Sequence, residues 1–241
     1  MTGTAREDSG RARVSVDAME LVGTKDLAFA TPAPGAVLRR KGGWSPLIRV
    51  VQTPQGLAVE KDYSAKPLPI RATVARLLVR REREILRHLQ GLPGIPRLLP
   101  CHGPLTVRTE YIPGRSINKL KAGELAPVVF ERLEALVESM HARRIVHLDL
   151  RQRKNVLIRD DGQPFLLDFA NAIRFRLRGG IAGWTFERLA SVDRSALLKY
   201  KNRYFPRLLT DEDRGHLRRH RRLRVLWFFK PPKTRAKDAI R

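Results

Sequence analysis

One cysteine, Cys101, is all the thiol chemistry this 241-residue chain holds. That excludes an internal disulfide and any Cys-rich zinc site, and a buried free thiol is expected there. Acidic residues are scarce: 24 Asp and Glu stand against 48 Lys and Arg, a formal net charge of +24. An anionic partner (phosphate groups, nucleic acid or anionic lipid) and a merely basic soluble surface account for that charge equally well. No run of about 18 apolar residues is present, so no membrane span is expected. The first twenty residues lack the apolar stretch of a signal peptide, and a cytoplasmic location is the expectation. No recognised nucleic-acid-binding signature occurs, which makes nucleic acid the weaker of the anionic partners. Hydrophobic residues at 42% are enough for a core and exclude a disordered chain.

The patterning is α+β. Residues 1–30 are polar and weakly periodic, a loose tail. Pro32-Ala33-Pro34-Gly35 punctuates the entry to an ordered region. Leu47–Val51 and Leu57–Lys61 read as strands around the turn Thr53-Pro54-Gln55-Gly56. Residues 72–90 read as a helix with Val74, Leu77, Leu78, Ile85, Leu86 and Leu89 on one stripe. Strand-like stretches follow near Leu98-Leu99 and over 105–112, and Pro113-Gly114 breaks the chain. A second helix covers about 126–143, with Val129, Leu133, Leu136, Val137 and Met140 on one face. Beyond it, strands at 155–158 and 165–169 flank a turn containing Asp161-Gly162, a hairpin signal. Thr210-Asp211-Glu212-Asp213 starts a further helix with a capping-box pattern.

Between the second helix and that hairpin lies IVHLDLRQRKNVLI, residues 145–158. Alone it reads as a basic turn between two strands. Followed by the hairpin and then Asp168-Phe169-Ala170, the order H-x-D, N, strand, turn, strand, D-F resembles the core of the protein-kinase-like superfamily. The short, basic form looks most like the bacterial branch near RIO kinases and lipopolysaccharide-core sugar kinases. The resemblance covers roughly residues 38–195. It implies a two-lobed fold: an N-lobe over 31–113, with a nucleotide-binding sheet and a helix, and a short helical C-lobe over 114–241.

It also implies ATP and Mg as cofactors and a phosphoryl transfer to a hydroxyl, on a protein Ser/Thr or a lipopolysaccharide-core sugar. Asp149 would accept the hydroxyl proton. Asn155 and Asp168 would supply the hard oxygen ligands that a magnesium ion requires. Arg151 is the expected cation beside the transferred phosphate. Ala58-Val59-Glu60-Lys61 resembles the strand whose lysine neutralises nucleotide phosphates, with Glu82 preferred over Glu84 as its partner because Glu82 shares the face of Ile85, Leu86 and Leu89. Gly42 and Gly43 would stand in for the glycine loop, and the backbone over Glu110–Ile112 for the hinge that meets the adenine edge.

Three departures from the pattern are visible. Asn155 lies six positions after Asp149 rather than five. The glycine loop has no G-x-G-x-x-G, and D-F-G is D-F-A. The first two motivate the alternative of a catalytically weak pseudokinase acting as a scaffold for an anionic partner; in the third the metal-binding aspartate is kept. Finally, residues 214–241 carry eleven Lys and Arg against one acidic residue, together with Trp227, Phe228 and Phe229. A cationic segment with aromatics suits an anionic membrane surface, peripheral on the inner face of the cytoplasmic membrane; a helix packing its aromatics on the lobe suits it as well.

Overall fold

The computed structural model describes residues 32–39 and 45–223. Gly42 and Gly43 lie outside the described residues, as do the tail 1–31 and the aromatic cluster at 227–229.

The first lobe is an antiparallel sheet in the order β1 (Val37–Arg39), β2 (Leu47–Thr53), β3 (Gly56–Asp62), β4 (Thr106–Glu110). The β2–β3 turn closes where Thr53 faces Gly56. Thr53 Oγ1 donates to Gly56 O at 2.7 Å and takes the Gln55 N–H at 3.2 Å, and Gly56 sits at φ +107°, a conformation glycine adopts at little cost. The period-2 alternation of β3 gives its two faces different chemistry. Ala58 and Glu60 are buried on one; Val59 and Lys61 line a cleft on the other. Glu60 is the hub of a cross-strand triplet, each carboxylate oxygen holding one guanidinium: Oε1 to Arg49 Nη2 at 2.7 Å and Oε2 to Arg108 Nη2 at 2.6 Å. The stretch near Leu98-Leu99 forms only an isolated bridge, Leu98 to Thr109.

The helix expected at 72–90 begins earlier and less regularly. A turn α1 (Leu68–Ile70) runs through a wide π-type turn (Arg71–Ala75) into α2 (Arg76–Leu89). Its inner face is Val79, Glu82, Ile85, Leu86 and Leu89. Val74 and Leu77, placed by periodicity on the buried stripe, are exposed, because the π-type turn rotates the phase of the first turns and Ala75 is buried instead. Cys101 is half-buried rather than buried: it borders the arginine Arg83, whose Nη2 lies 2.9 Å from its sulfur.

The second lobe starts with β5 (Arg115–Ser116) and α3 (Pro127–Ala142), whose proline occupies the first turn where no N–H partner exists. Then come β6 (Ile145–Val146), a 3₁₀ turn (Arg153–Asn155), β7 (Val156–Ile158), β8 (Pro164–Leu166), a 3₁₀ turn (Phe169–Asn171) and β9 (Ile173–Arg174). The hairpin β7–β8 pairs with β5, and β6 pairs with β9. Both strands of the hairpin are shorter than expected, so Asn155 ends a 3₁₀ turn and Asp168 lies two residues past β8. The long helix α4 (Gly180–Tyr204) and α5 (Asp211–Leu223) complete the lobe. At α5 the capping box forms: Asp213 N–H donates to Thr210 Oγ1 and Thr210 N–H to Asp213 Oδ2, both at 3.1 Å. One apolar core runs from Val79, Leu86 and Val107 to Leu133, Met140, Leu150, Leu166 and Phe169, joining the lobes across the foot of the cleft.

Candidate active site

A cleft of about 310 Å³ opens between the lobes. Val59, Lys61, Val107 and Thr109 wall it from the sheet, Glu110–Ile112 from the crossing strand, and Lys154, Asn155, Leu166 and Asp168 from below.

Lys61 is the centre of its charge. Nζ donates to Glu82 Oε1 at 2.6 Å and to Asp168 Oδ1 at 2.7 Å, so β3, α2 and the segment after β8 converge on one ammonium. Glu84, the alternative partner, instead faces Arg174 and Arg176 at 3.7 and 3.6 Å. Burial disfavours the Lys61 charge, but the two carboxylates outweigh it and hold the pKa above its ordinary value. Burial pushes the Glu82 carboxyl up, with Lys61 pulling against it. Asp168 is also desolvated, yet the Lys61 ammonium beside it holds its carboxyl below the usual range, with Lys154 adding to the effect.

The loop 147–155 is built from backbone constraints. Leu148 and Asp168 both take the left-handed conformation, at φ +64° and +68°, which non-glycine residues adopt only where surrounding contacts enforce it. At Leu148 the enforcing group is Asp193, buried on α4. Its Oδ2 accepts the His147 N–H at 2.7 Å and its Oδ1 the Leu148 N–H at 2.8 Å. His141 Nε2 adds a third donor at 3.1 Å. His147 is fully buried against the Phe169 ring, 4.9 Å between centroids. Its Nε2–H faces Leu167 O at 3.1 Å while Nδ1 takes the Asp149 N–H at 3.3 Å, a pattern only the neutral ring satisfies. Burial accordingly lowers its pKa.

The extra residue before Asn155 is absorbed as two successive turns. Gln152 N–H donates to Asp149 O at 3.1 Å, and Asn155 N–H to Gln152 O at 2.8 Å. Asn155 Nδ2 then donates to Asp149 Oδ2 at 3.0 Å and to Asp149 O at 3.1 Å. Asn155 O receives the Leu167 N–H at 2.8 Å, which fastens the loop beside Asp168. Gln152 Nε2 also reaches Asp149 Oδ1, at 2.6 Å. With its amide nitrogen committed, Asn155 has the side-chain oxygen left, and Asp168 has its second oxygen. Two hard oxygen donors in one cleft suit a magnesium ion, which takes one or two protein ligands and completes its shell with phosphate and water. Among the described residues no group of three or more His, Cys, Asp or Glu gathers as a metal cage.

Two placements differ from the sequence reading. Arg151 is exposed and is not among the residues lining the cleft; Lys154, three positions on, lines it and acts on Asp168. Asp193 was not foreseen at all. Its only signal is a carboxylate in register with Ala190 and Leu197, on the apolar face of a helix.

No family model matches the chain, and no curated protein matches it in sequence. Solved structures do match in fold. The Rio2 kinase from Chaetomium thermophilum is 18% identical with a TM-score of 0.53, over 73% of this chain and 59% of that one. The ADP/Mg²⁺-phosphoaspartate complex of the Rio2 kinase from the same organism gives 18% and 0.53, over 72% and 57%. The chain therefore spans well under two thirds of the proteins it resembles. At that identity the likeness speaks for the fold, and the fold is two-lobed and protein-kinase-like.

Proposed function

We propose that this chain is an ATP- and Mg-dependent phosphotransferase moving the γ-phosphoryl group to a hydroxyl acceptor. The observation that carries the reading is Lys61 held between Glu82 and Asp168 in a cleft that Asn155 also lines, with Asp149 bonded to Asn155 at 3.0 Å. Phosphoryl transfer asks for positioning and charge neutralisation more than covalent help, and each of these groups has a task of that kind. Lys61, oriented by Glu82, meets the nucleotide phosphates. Asn155 and Asp168 are the residues to hold Mg, which when bound neutralises charge on the phosphate oxygens. Asp149 orients the acceptor hydroxyl and takes its proton. Lys154 supplies the loop cation in place of Arg151. The backbone at Glu110 and Ile112 meets the base, and Gly42 and Gly43 take the part of the glycine loop. The lobes divide at Pro113-Gly114.

By resemblance the acceptor is a protein Ser/Thr or a lipopolysaccharide-core sugar, the reaction is cytoplasmic, and the basic C-terminus serves as a peripheral anchor on anionic membrane. Labelled ATP and Mg incubated with separated protein and glycolipid fractions test this. Label in one fraction, lost in Asp149→Ala, is the expected result; label in neither fraction contradicts it. One observation favours a pseudokinase scaffold as second reading: Gln152 and Asn155 both donate to the Asp149 carboxylate, occupying the group that would act as base.

A further inference from the structure

At the start of α4 the surface combines two features that rarely coexist by chance. Leu177 is 71% exposed, Ile181 85% and Trp184 66%. Ile181 and Trp184 lie one turn apart on the helix, and Leu177 lies three residues before its start, so the three exposed side chains belong to one short stretch. Arginines surround them. Arg143, Arg144, Arg174, Arg176 and Arg178 line a second cleft of about 400 Å³, and Arg188 stacks over the Trp184 ring at 5.8 Å. Arg144 Nη2 donates to Leu177 O at 3.2 Å, which ties the arginine cleft to the apolar cluster.

Among the described residues, two carboxylates pair near this surface. Glu84 reaches Arg174 and Arg176 only at 3.6–3.7 Å, and Glu187 turns toward Arg194 at 3.4 Å. Arg143 Nη1 donates to His88 O at 2.7 Å and to Gln90 O at 2.9 Å, and the arginines together keep the surface positive. The alternation Arg174-Phe175-Arg176-Leu177-Arg178 has an anchored half as well. Phe175 packs edge-on against Phe186 at 5.6 Å, and the Arg144 guanidinium lies 3.8 Å from the centroid of that ring, so the cationic segment is anchored at Phe175.

We infer that this face docks on an anionic lipid surface, with the arginine cleft taking headgroup phosphates and Leu177, Ile181 and Trp184 entering the boundary with the acyl chains. Charge complementarity selects the occupant. Guanidinium forks match phosphate oxygens. A tryptophan with aliphatic neighbours on a cationic helix end is the pattern of an interfacial element, and a basic surface is drawn to an anionic leaflet. A nucleic acid would use the arginines but give no place to three exposed apolar tips. The inference needs neither nucleotide nor phosphoryl transfer, and it stands if the catalytic reading fails.

The test uses the full chain carrying Trp44→Phe and Trp227→Phe, which leaves Trp184 as the one tryptophan. Vesicles of phosphatidylcholine containing about one third phosphatidylserine are compared with phosphatidylcholine alone. The expected result is a blue shift of Trp184 emission and its quenching by brominated lipid, on the anionic vesicles only. Arg176→Glu with Arg178→Glu weakens the partition about tenfold or more, at roughly the expected loss for two basic residues near the surface. Leu177→Ser with Ile181→Ser, both at exposed positions, weakens it comparably while leaving the thermal melt unchanged. Unshifted, unquenched Trp184 emission overturns the inference even if the protein sediments with the vesicles. So does a blue shift produced by single-stranded RNA and absent with vesicles.

Discussion

Asp193 touches no part of the cleft, yet two N–H groups of the catalytic-type loop and one histidine depend on it. An Asn at this position keeps one acceptor oxygen and turns an amide N–H toward a donor it cannot bind. Leaving a buried N–H unpaired costs about 1–3 kcal/mol, more at a charged partner. Asp193→Asn is therefore expected to lose about 3 kcal/mol. At about 2–4 °C per kcal/mol for a domain of this size, the melting temperature falls by roughly 6–12 °C. A melt within about 2 °C of wild type would remove Asp193 from this role. The contrast with Lys61 is instructive. Lys61, Glu82, Asp149, Asn155 and Asp168 stand out in the sequence because their order matches a family pattern. Asp193 acts through geometry alone, and one aspartate among helix residues carries no such signature.

At the scale of elements, the order of strands, helices and breaks follows from apolar periodicity, and the lengths do not. The hairpin strands end short of Asn155 and Asp168 because both residues leave regular geometry, one in a 3₁₀ turn and one in the left-handed region. The phase of α2 slips at the π-type turn, which hydrophobic spacing cannot reveal, and Val74 and Leu77 surface as a result. The Glu60 triplet is equally hidden, since it joins residues on three strands whose register only the folded sheet defines. The link from α2 to the first sheet gives a sharp test of packing. A Cβ at Gly94 would lie 2.5 Å from Leu136 Cδ2 and from Pro164 O, at φ +94°. Gly91 has a similar φ, +82°, and open space. Gly94→Ala is expected to lower the urea midpoint by an amount equivalent to about 2–4 kcal/mol with an unchanged slope, and Gly91→Ala by only about 1–2 kcal/mol. Equal losses at the two sites would contradict the described contact of the lobes.

For the whole molecule, the buried titrating groups set a common direction with pH. His147, Glu60 and Asp168 all have pKa values below their ordinary ones in the fold. For Glu60 burial pulls the other way, and the two guanidiniums outweigh it. Each therefore binds protons more readily when unfolded, so each contributes stability above its unfolded pKa that is lost as the pH falls. His147 acts first, below its ordinary 6.5, and the carboxylates follow, below 4.5 for Glu60 and 3.8 for Asp168. Glu82, pushed up by burial, opposes the trend over the carboxylate range. Thermal melts from pH 8 to 4 are expected to stay level above about pH 7 and then decline. A melting temperature that rises between pH 7 and 5 would contradict the neutral, buried His147. No helix among the described residues is long and apolar enough to cross a membrane.

The central claim is that the cleft turns over ATP with Asp149 as the group that activates the acceptor. The direct measurement is Mg-dependent ATP consumption by wild type and by Asp149→Ala, with nucleotide affinity and thermal stability recorded for both. Turnover is expected in wild type and falls about 100-fold or more in the variant, the scale of losing a positioned base, while nucleotide affinity stays within a few-fold. Equal rates in the two proteins, or no turnover in a wild type that is folded and binds nucleotide, would contradict it.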